Sequence, residues 1–137
     1  MDLVLDSNEY IFAFGNIKKP YCEQLIKLVE NKYPMHIIHI PQLIIEEVRN
    51  NLNIKAFREF ILFINSLTTI DENILVPFEL GTKYEAKKFK PADAFISAYT
   101  EWCGAKILVT ENRHFLSCQL VLPFKILTAE RCLLELK

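Results

Sequence analysis

Short apolar runs recur along the chain, and stretches of helical periodicity separate them. Leu3–Leu5 is the first run, Ile37–Ile40 the second and Thr68–Ile70 a weaker third; Ile107–Val109 and Phe124–Leu127 are the fourth and fifth. A helix inserted between two strands returns the chain to the same end of the sheet, so such strands run parallel. The alternation therefore predicts an α/β chain whose parallel sheet has helices on both faces. In open sheets of this kind, ligands bind beyond the carboxyl ends of the strands. Asp6 follows the first run at once, and Thr110-Glu111-Asn112 follows the fourth.

The helices are read from period and end signals. Pro20 opens one through Asn31, with Tyr21, Leu25, Leu28 and Val29 at helical spacing. Pro41 opens the next, with Ile44, Val48 and Leu52 on one side, and Ile54–Asn65 carries Phe57, Phe60, Ile61 and Ile64. Leu80–Phe89 is helical in pattern although Gly81 interrupts it. Ala92–Cys103 is a helix that Gly104 stops, and Thr128 caps a last one through Leu136. Asn8–Lys19 reads as a turn or irregular entry; its Tyr10, Phe12 and Phe14 serve either a partner surface or the core. At 137 residues, 51% of them apolar, the expectation is a single domain over 1–137.

Composition removes several function classes. With 3 Gly, the chain has no glycine-rich phosphate loop. Its 4 Cys lack the paired spacing of a zinc site and suit reduced, buried roles. A net charge of −1 announces no polyanion partner, although a local basic strip would suffice. No signal-peptide pattern or membrane-length apolar run is present, so the expectation is a reducing cytoplasmic location without a membrane.

The candidate site residues each carry two readings. Asp6 is either a metal ligand or general base at a strand end, or an ordinary turn residue in Asp6-Ser7-Asn8. At about 100° per residue, Gln42, Glu46, Arg49 and Asn50 share a polar helix face, which leaves Glu46 solvated. Glu47 instead projects between Leu43 and Ile44, at the margin of the apolar stripe. A carboxylate facing inward is expensive unless paired or bound to a cation; the alternative is that Glu47 reaches solvent. Asp93 lies in the first turn after Pro91, where the helix dipole alone would explain it. It also begins a small polar stripe continued by Ser97 and Thr100. Asn112 either bonds a water or ligand or caps the turn that follows; Glu111 can point either way, and His114 is a weak signal. His36 and His39 look like strand positions. Lys83, Lys87, Lys88 and Lys90 read first as a solubilising face and second as a phosphate-holding strip.

In order and spacing these residues resemble the PIN-domain family. The matching segments are Val4-Leu5-Asp6-Ser7-Asn8, Leu43-Ile44-Ile45-Glu46-Glu47-Val48, Ala92-Asp93-Ala94-Phe95-Ile96-Ser97-Ala98, and Ile107 through Phe115. Ile126 through Leu133 resembles the family's closing strand and helix. The resemblance implies a five-stranded, mainly parallel sheet in a three-layer α/β/α sandwich. It implies a Mg²⁺- or Mn²⁺-dependent endoribonuclease, of a type often found as the toxin of a toxin–antitoxin pair. Asp6, Glu47 and Asp93 then take the three acidic metal-binding positions, and Asn112 stands where many members carry a fourth acid. The implied partners are single-stranded or structured RNA, an antitoxin protein and a second copy of the chain. A neutral Asn112 can orient a water or a ligand but should weaken recruitment of a second ion. The alternative is a PIN-like domain that binds RNA or protein without cutting. A receiver-type domain wants paired acids after the first strand, an acceptor Asp after the third and a later Lys, of which only Asp6 fits; a dehalogenase-type one wants Asp-x-Asp, where the chain has Asp6-Ser7-Asn8.

Overall fold

The computed structural model describes the whole chain, Met1–Lys137. Five strands form one sheet: β1 (Asp2–Leu5), β2 (Ile37–Pro41), β3 (Thr68–Asp71), β4 (Ile107–Val109) and β5 (Lys125–Leu127). Their order is β3-β2-β1-β4-β5, and every neighbouring pair is parallel. Val4 of the central strand stands between His39 on one side and Leu108 on the other. Leu3, Val4, Leu5, Ile38, Ile40, Ile107, Leu108 and Val109 are at most 1% exposed. A strand covered on both faces needs apolar side chains at consecutive positions, which is why these read as runs and not as alternations.

Eight α-helices accompany the strands, seven between them and the last after β5. They are α1 (Ser7–Phe14), α2 (Pro20–Lys32), α3 (Gln42–Asn51), α4 (Ile54–Leu67), α5 (Phe78–Ala86), α6 (Pro91–Trp102), α7 (Arg113–Leu116) and α8 (Ala129–Leu136). From β1 the chain steps outward through β2 to β3, then crosses to the other side of β1 for β4 and β5. Parallel crossovers are right-handed. Reversing the direction of travel therefore moves the helices to the opposite face, with α1 to α4 on one side and α5 and α6 on the other. The expected three-layer α/β/α sandwich is present. The point where the direction reverses lies between β1 and β4, at their carboxyl ends.

The irregular entry expected over Asn8–Lys19 is instead largely helix α1. The turn chemistry of Asp6-Ser7-Asn8 is also helix-start chemistry, and Asp6 is the N-cap of α1. The helix shows no clean amphipathic stripe because it is held from several sides, with Ser7, Glu9, Tyr10 and Ala13 all buried. Tyr10 is wholly buried, and Phe12 and Phe14 pack against the core, so these aromatics do not form an open surface. End signals elsewhere are as read. Thr128 accepts from Arg131 N–H at 3.2 Å, and Gly104 takes the left-handed φ of 75° that ends α6. All four cysteines are free, and no helix is long and apolar enough to cross a membrane.

Candidate active site

Asp6 is fixed from three directions. Its own N–H donates to Val109 O at 2.8 Å, which extends the β1–β4 ladder one residue beyond β1. One carboxylate oxygen, Oδ1, accepts from Ser7 N–H at 2.8 Å, and Oδ2 accepts from the Thr110 hydroxyl at 2.9 Å. The Thr110 Oγ1 accepts in turn from Asn112 N–H at 3.0 Å. Thr110 is wholly buried and Asp6 nearly so. Burial pushes the Asp6 carboxyl above its ordinary range; the bonds from Thr110 and Ser7 pull it down, and the charge of Asp93 adds to the rise.

Glu47 and Asp93 face the same place from different elements. In α3, Glu46 is exposed with Gln42, Arg49 and Asn50, whereas Glu47 is half-buried. The Ser7 hydroxyl donates to Glu47 Oε2 at 3.1 Å. The Glu47 carboxyl is raised by burial, is lowered by Ser7, and is raised again by Asp6 and Asp93. Asp93 sits in the first turn of α6. Burial raises it as well, against the pull of Lys90 and His114. The charge of Asp93 on α6 thus reaches both Asp6 at the end of β1 and Glu47 on α3, and that of Asp6 reaches Glu47.

Their donor set is three hard carboxylates with no His or Cys among them, which suits Mg²⁺ or Mn²⁺ better than a softer ion. Burial raises all three, and the charge of Asp93 adds to the rise of Asp6 and Glu47; a cation would relieve both. The group is open: the only trio whose ligand atoms all lie within 4.8 Å of one another is a different one, Glu9, Cys22 and Glu111. An open set of oxygens fits an ion that keeps part of its water shell, as Mg²⁺ does.

The sequence did not single out Glu9, because its segment read as irregular. On a helix it shares the buried face of Tyr10 and Ala13. Glu9 is wholly buried, and its Oε2 has no donor opposite it. The group it does face is the Glu111 carboxyl, and burial followed by that neighbour pushes Glu9 up to about 9. A proton on Glu9, donated toward Glu111, satisfies both. Glu111 is engaged instead at the start of α8, where its Oε2 accepts from Ala129 N–H at 3.0 Å. It therefore supplies no fourth acid to the Asp6 group. The Cys22 thiol donates to Glu9 Oε1 at 3.5 Å and is itself held protonated by burial. Protons thus account for this trio without a metal.

Glu9 also carries a prediction. Its folded value lies above the ordinary glutamate range. The stability it contributes is full at or below that range and declines as pH rises, until it is gone past about 9. Glu9→Gln keeps the shape and a permanent donor toward Glu111. We expect it to flatten this decline and to add about 1–3 kcal/mol at pH 8, measured by urea unfolding across pH.

The remaining candidates divide between capping and a cleft. Asn112 is the N-cap of α7: its Oδ1 accepts from His114 N–H at 2.9 Å, which leaves its NH₂ free as a donor. Lys83 leaves the basic run to pair with Glu101 at 2.9 Å. Lys87, Lys88 and Lys90 line a cleft of about 310 Å³ together with Asp93, His114 and Cys118. His36 is buried just before β2, and His39, opposite Val4, turns back to lie 3.5 Å from Asp2.

No protein-family model matches the chain, and no curated protein matches it in sequence. Among solved structures it is similar to VapBC2 from Rickettsia felis, crystallised bound to a DNA fragment from its promoter. The two share 18% identity over 92% of this chain and 97% of that one, with a TM-score of 0.64. The chain therefore shares the three-layer α/β/α fold of that neighbour, with its five-stranded parallel sheet.

Proposed function

We propose that the chain is a metal-dependent endoribonuclease acting as the toxin of a toxin–antitoxin pair. The observation that carries this reading is that Asp6 and Glu47, at the carboxyl end of β1 and on α3, are each raised by burial and by the charge of Asp93 at the start of α6, which burial raises in turn. These three would hold Mg²⁺ or Mn²⁺, directly or through water. The bound ion would supply an activated water and offset charge building on the scissile phosphate. Ser7 holds Glu47 toward Asp6, and Thr110 holds Asp6. With its carbonyl engaged at α7, Asn112 acts as a donor that orients the attacking water or a phosphate oxygen. The likeness to VapBC2, solved on promoter DNA, supports a partner protein and a place in a regulated gene pair. A second copy of the chain remains part of the proposal, as does a cytoplasmic location.

One observation favours the non-cutting alternative. Glu111 is committed to α8 and Asn112 to α7, so the site has three acids and no fourth. The test separates the two readings. Purified free of any partner, the chain should cut single-stranded RNA in Mn²⁺ or Mg²⁺ and stop in EDTA. Millimolar Mn²⁺ should also raise its melting temperature, and each tenfold increase above the dissociation constant should add about 1.4 kcal/mol. Asn112→Asp keeps a good cap and restores a fourth charge, so metal affinity should rise. A chain and an Asn112→Asp variant that are both inert on varied RNAs would make this a binding domain.

A further inference from the structure

The basic run Lys83–Lys90 was read first as a solubilising face, and the structure divides it. Lys83 is neutralised by Glu101, whereas Lys87, Lys88 and Lys90 make no ion pair and line one cleft that ends at Asp93. Three ammonium groups thus line a cleft in which Asp93 is the one carboxylate, so the lysines outnumber the charge that answers them. Lys88 adds an independent sign. Its φ of 71° is left-handed, and it stands just past the end of α5, with its N–H donating to Glu85 O at 3.0 Å. That position favours glycine. A lysine there holds a strained backbone where a residue without a side chain would relax it, and strain of this kind points to a use for the side chain.

We infer that Lys87, Lys88 and Lys90 form a phosphate track that leads a single polynucleotide strand along this cleft to Asp93. The inference rests on the nuclease reading and assigns its substrate path. The track recognises the phosphate chain and not the bases: three ammonium groups act as point charges and carry no pattern that reads a base edge. Cys118, Gln119 and Leu120 also line the cleft.

The test measures binding without cleavage. A fluorescein-labelled uridine 12-mer is titrated in EDTA, and again in Ca²⁺, from 0.1 to 1 M KCl, with the matching thymidine 12-mer as a second probe. Each phosphate neutralised contributes about 0.7 to the slope of log K against log salt for a single strand. The variant K87Q/K88Q/K90Q should lose about 2 in slope, which is roughly a hundredfold in affinity at 0.1 M relative to 1 M. Lys88→Gly should melt no lower than wild type and still bind about fivefold more weakly at 0.1 M. A solubilising lysine predicts the first of these without the second. The same lysine-dependent slope on the deoxy probe supports a track that reads phosphate. A triple variant with the wild-type slope, a Lys88→Gly variant that binds as wild type, or a wild type without salt-dependent binding overturns the track. Cleavage in Mn²⁺ is scored separately. A wild type that binds through the lysines and never cuts keeps the track and removes the nuclease. A triple variant that cuts with unchanged KM removes the track and keeps the nuclease.

Discussion

Asp93→Asn should reduce RNA cleavage in Mn²⁺ by at least about a thousandfold, while Glu46→Ala leaves the rate unchanged because Glu46 faces solvent. The isosteric change removes a charge and keeps the first turn of α6 intact. Its effect on stability should run the opposite way. Without metal, Asp6, Glu47 and Asp93 all titrate above their ordinary ranges. The native state then takes up protons more readily than the unfolded chain. Stability is full at the acid end of the carboxylate range and is lost as pH rises through the folded values. Removing one of the three charges should leave the metal-free melting temperature at neutral pH equal or higher and shrink its pH dependence. The same change should abolish the melting rise produced by Mn²⁺. A variant that melts lower without metal and responds to Mn²⁺ as wild type would mean that Asp93 is only a helix-start residue.

Phe60→Ala should cost about 3–5 kcal/mol and lower the melting temperature by roughly 10–20 °C. Phe60 is wholly buried, and its ring meets Tyr10 edge-on at 5.2 Å, Phe14 at 5.8 Å and Phe57 at 5.8 Å. Two of those partners lie on α1, the helix that Asp6 caps. The cavity would therefore loosen the support of the acidic group as well as the core. A domain has only about 5–15 kcal/mol of stability to lose, so the variant should sit close to unfolding at 37 °C. Thermal unfolding followed by circular dichroism checks the size of the drop. A loss under about 1 kcal/mol would show that α1 and α4 collapse onto each other readily.

The parts of this fold that were legible in the sequence are those where one residue type has one use. Consecutive Leu3, Val4 and Leu5 suit a strand buried on both faces, and Pro20 and Gly104 mark helix ends by backbone geometry and Thr128 by its capping hydroxyl. Glu47 was separated from Glu46 because helical rotation puts neighbours on different faces, and the contact with Ser7 bears out the inward one. The illegible parts depend on tertiary context. Helix α1 lacks a stripe because it is enclosed on several sides. Glu9 looked unremarkable because nothing local shows that Glu111, on a distant loop, will face it. Thr110 and Asn112 were visible as a pair, but not the route by which Asn112 N–H reaches Asp6 through the Thr110 hydroxyl.

That last bond has a consequence for synthesis. Thr110 and Asp6 lie 104 positions apart, and β1 gains its β4 neighbour only through that distant segment. A chain leaving the ribosome at about 5–20 residues per second presents Asp6 and Glu47 seconds before Asp93 and Thr110 exist. Until then β1 has one open flank and the acids have no common site. The three carboxylates are therefore brought together only late in synthesis, when the segment carrying Asp93 and Thr110 has joined the sheet.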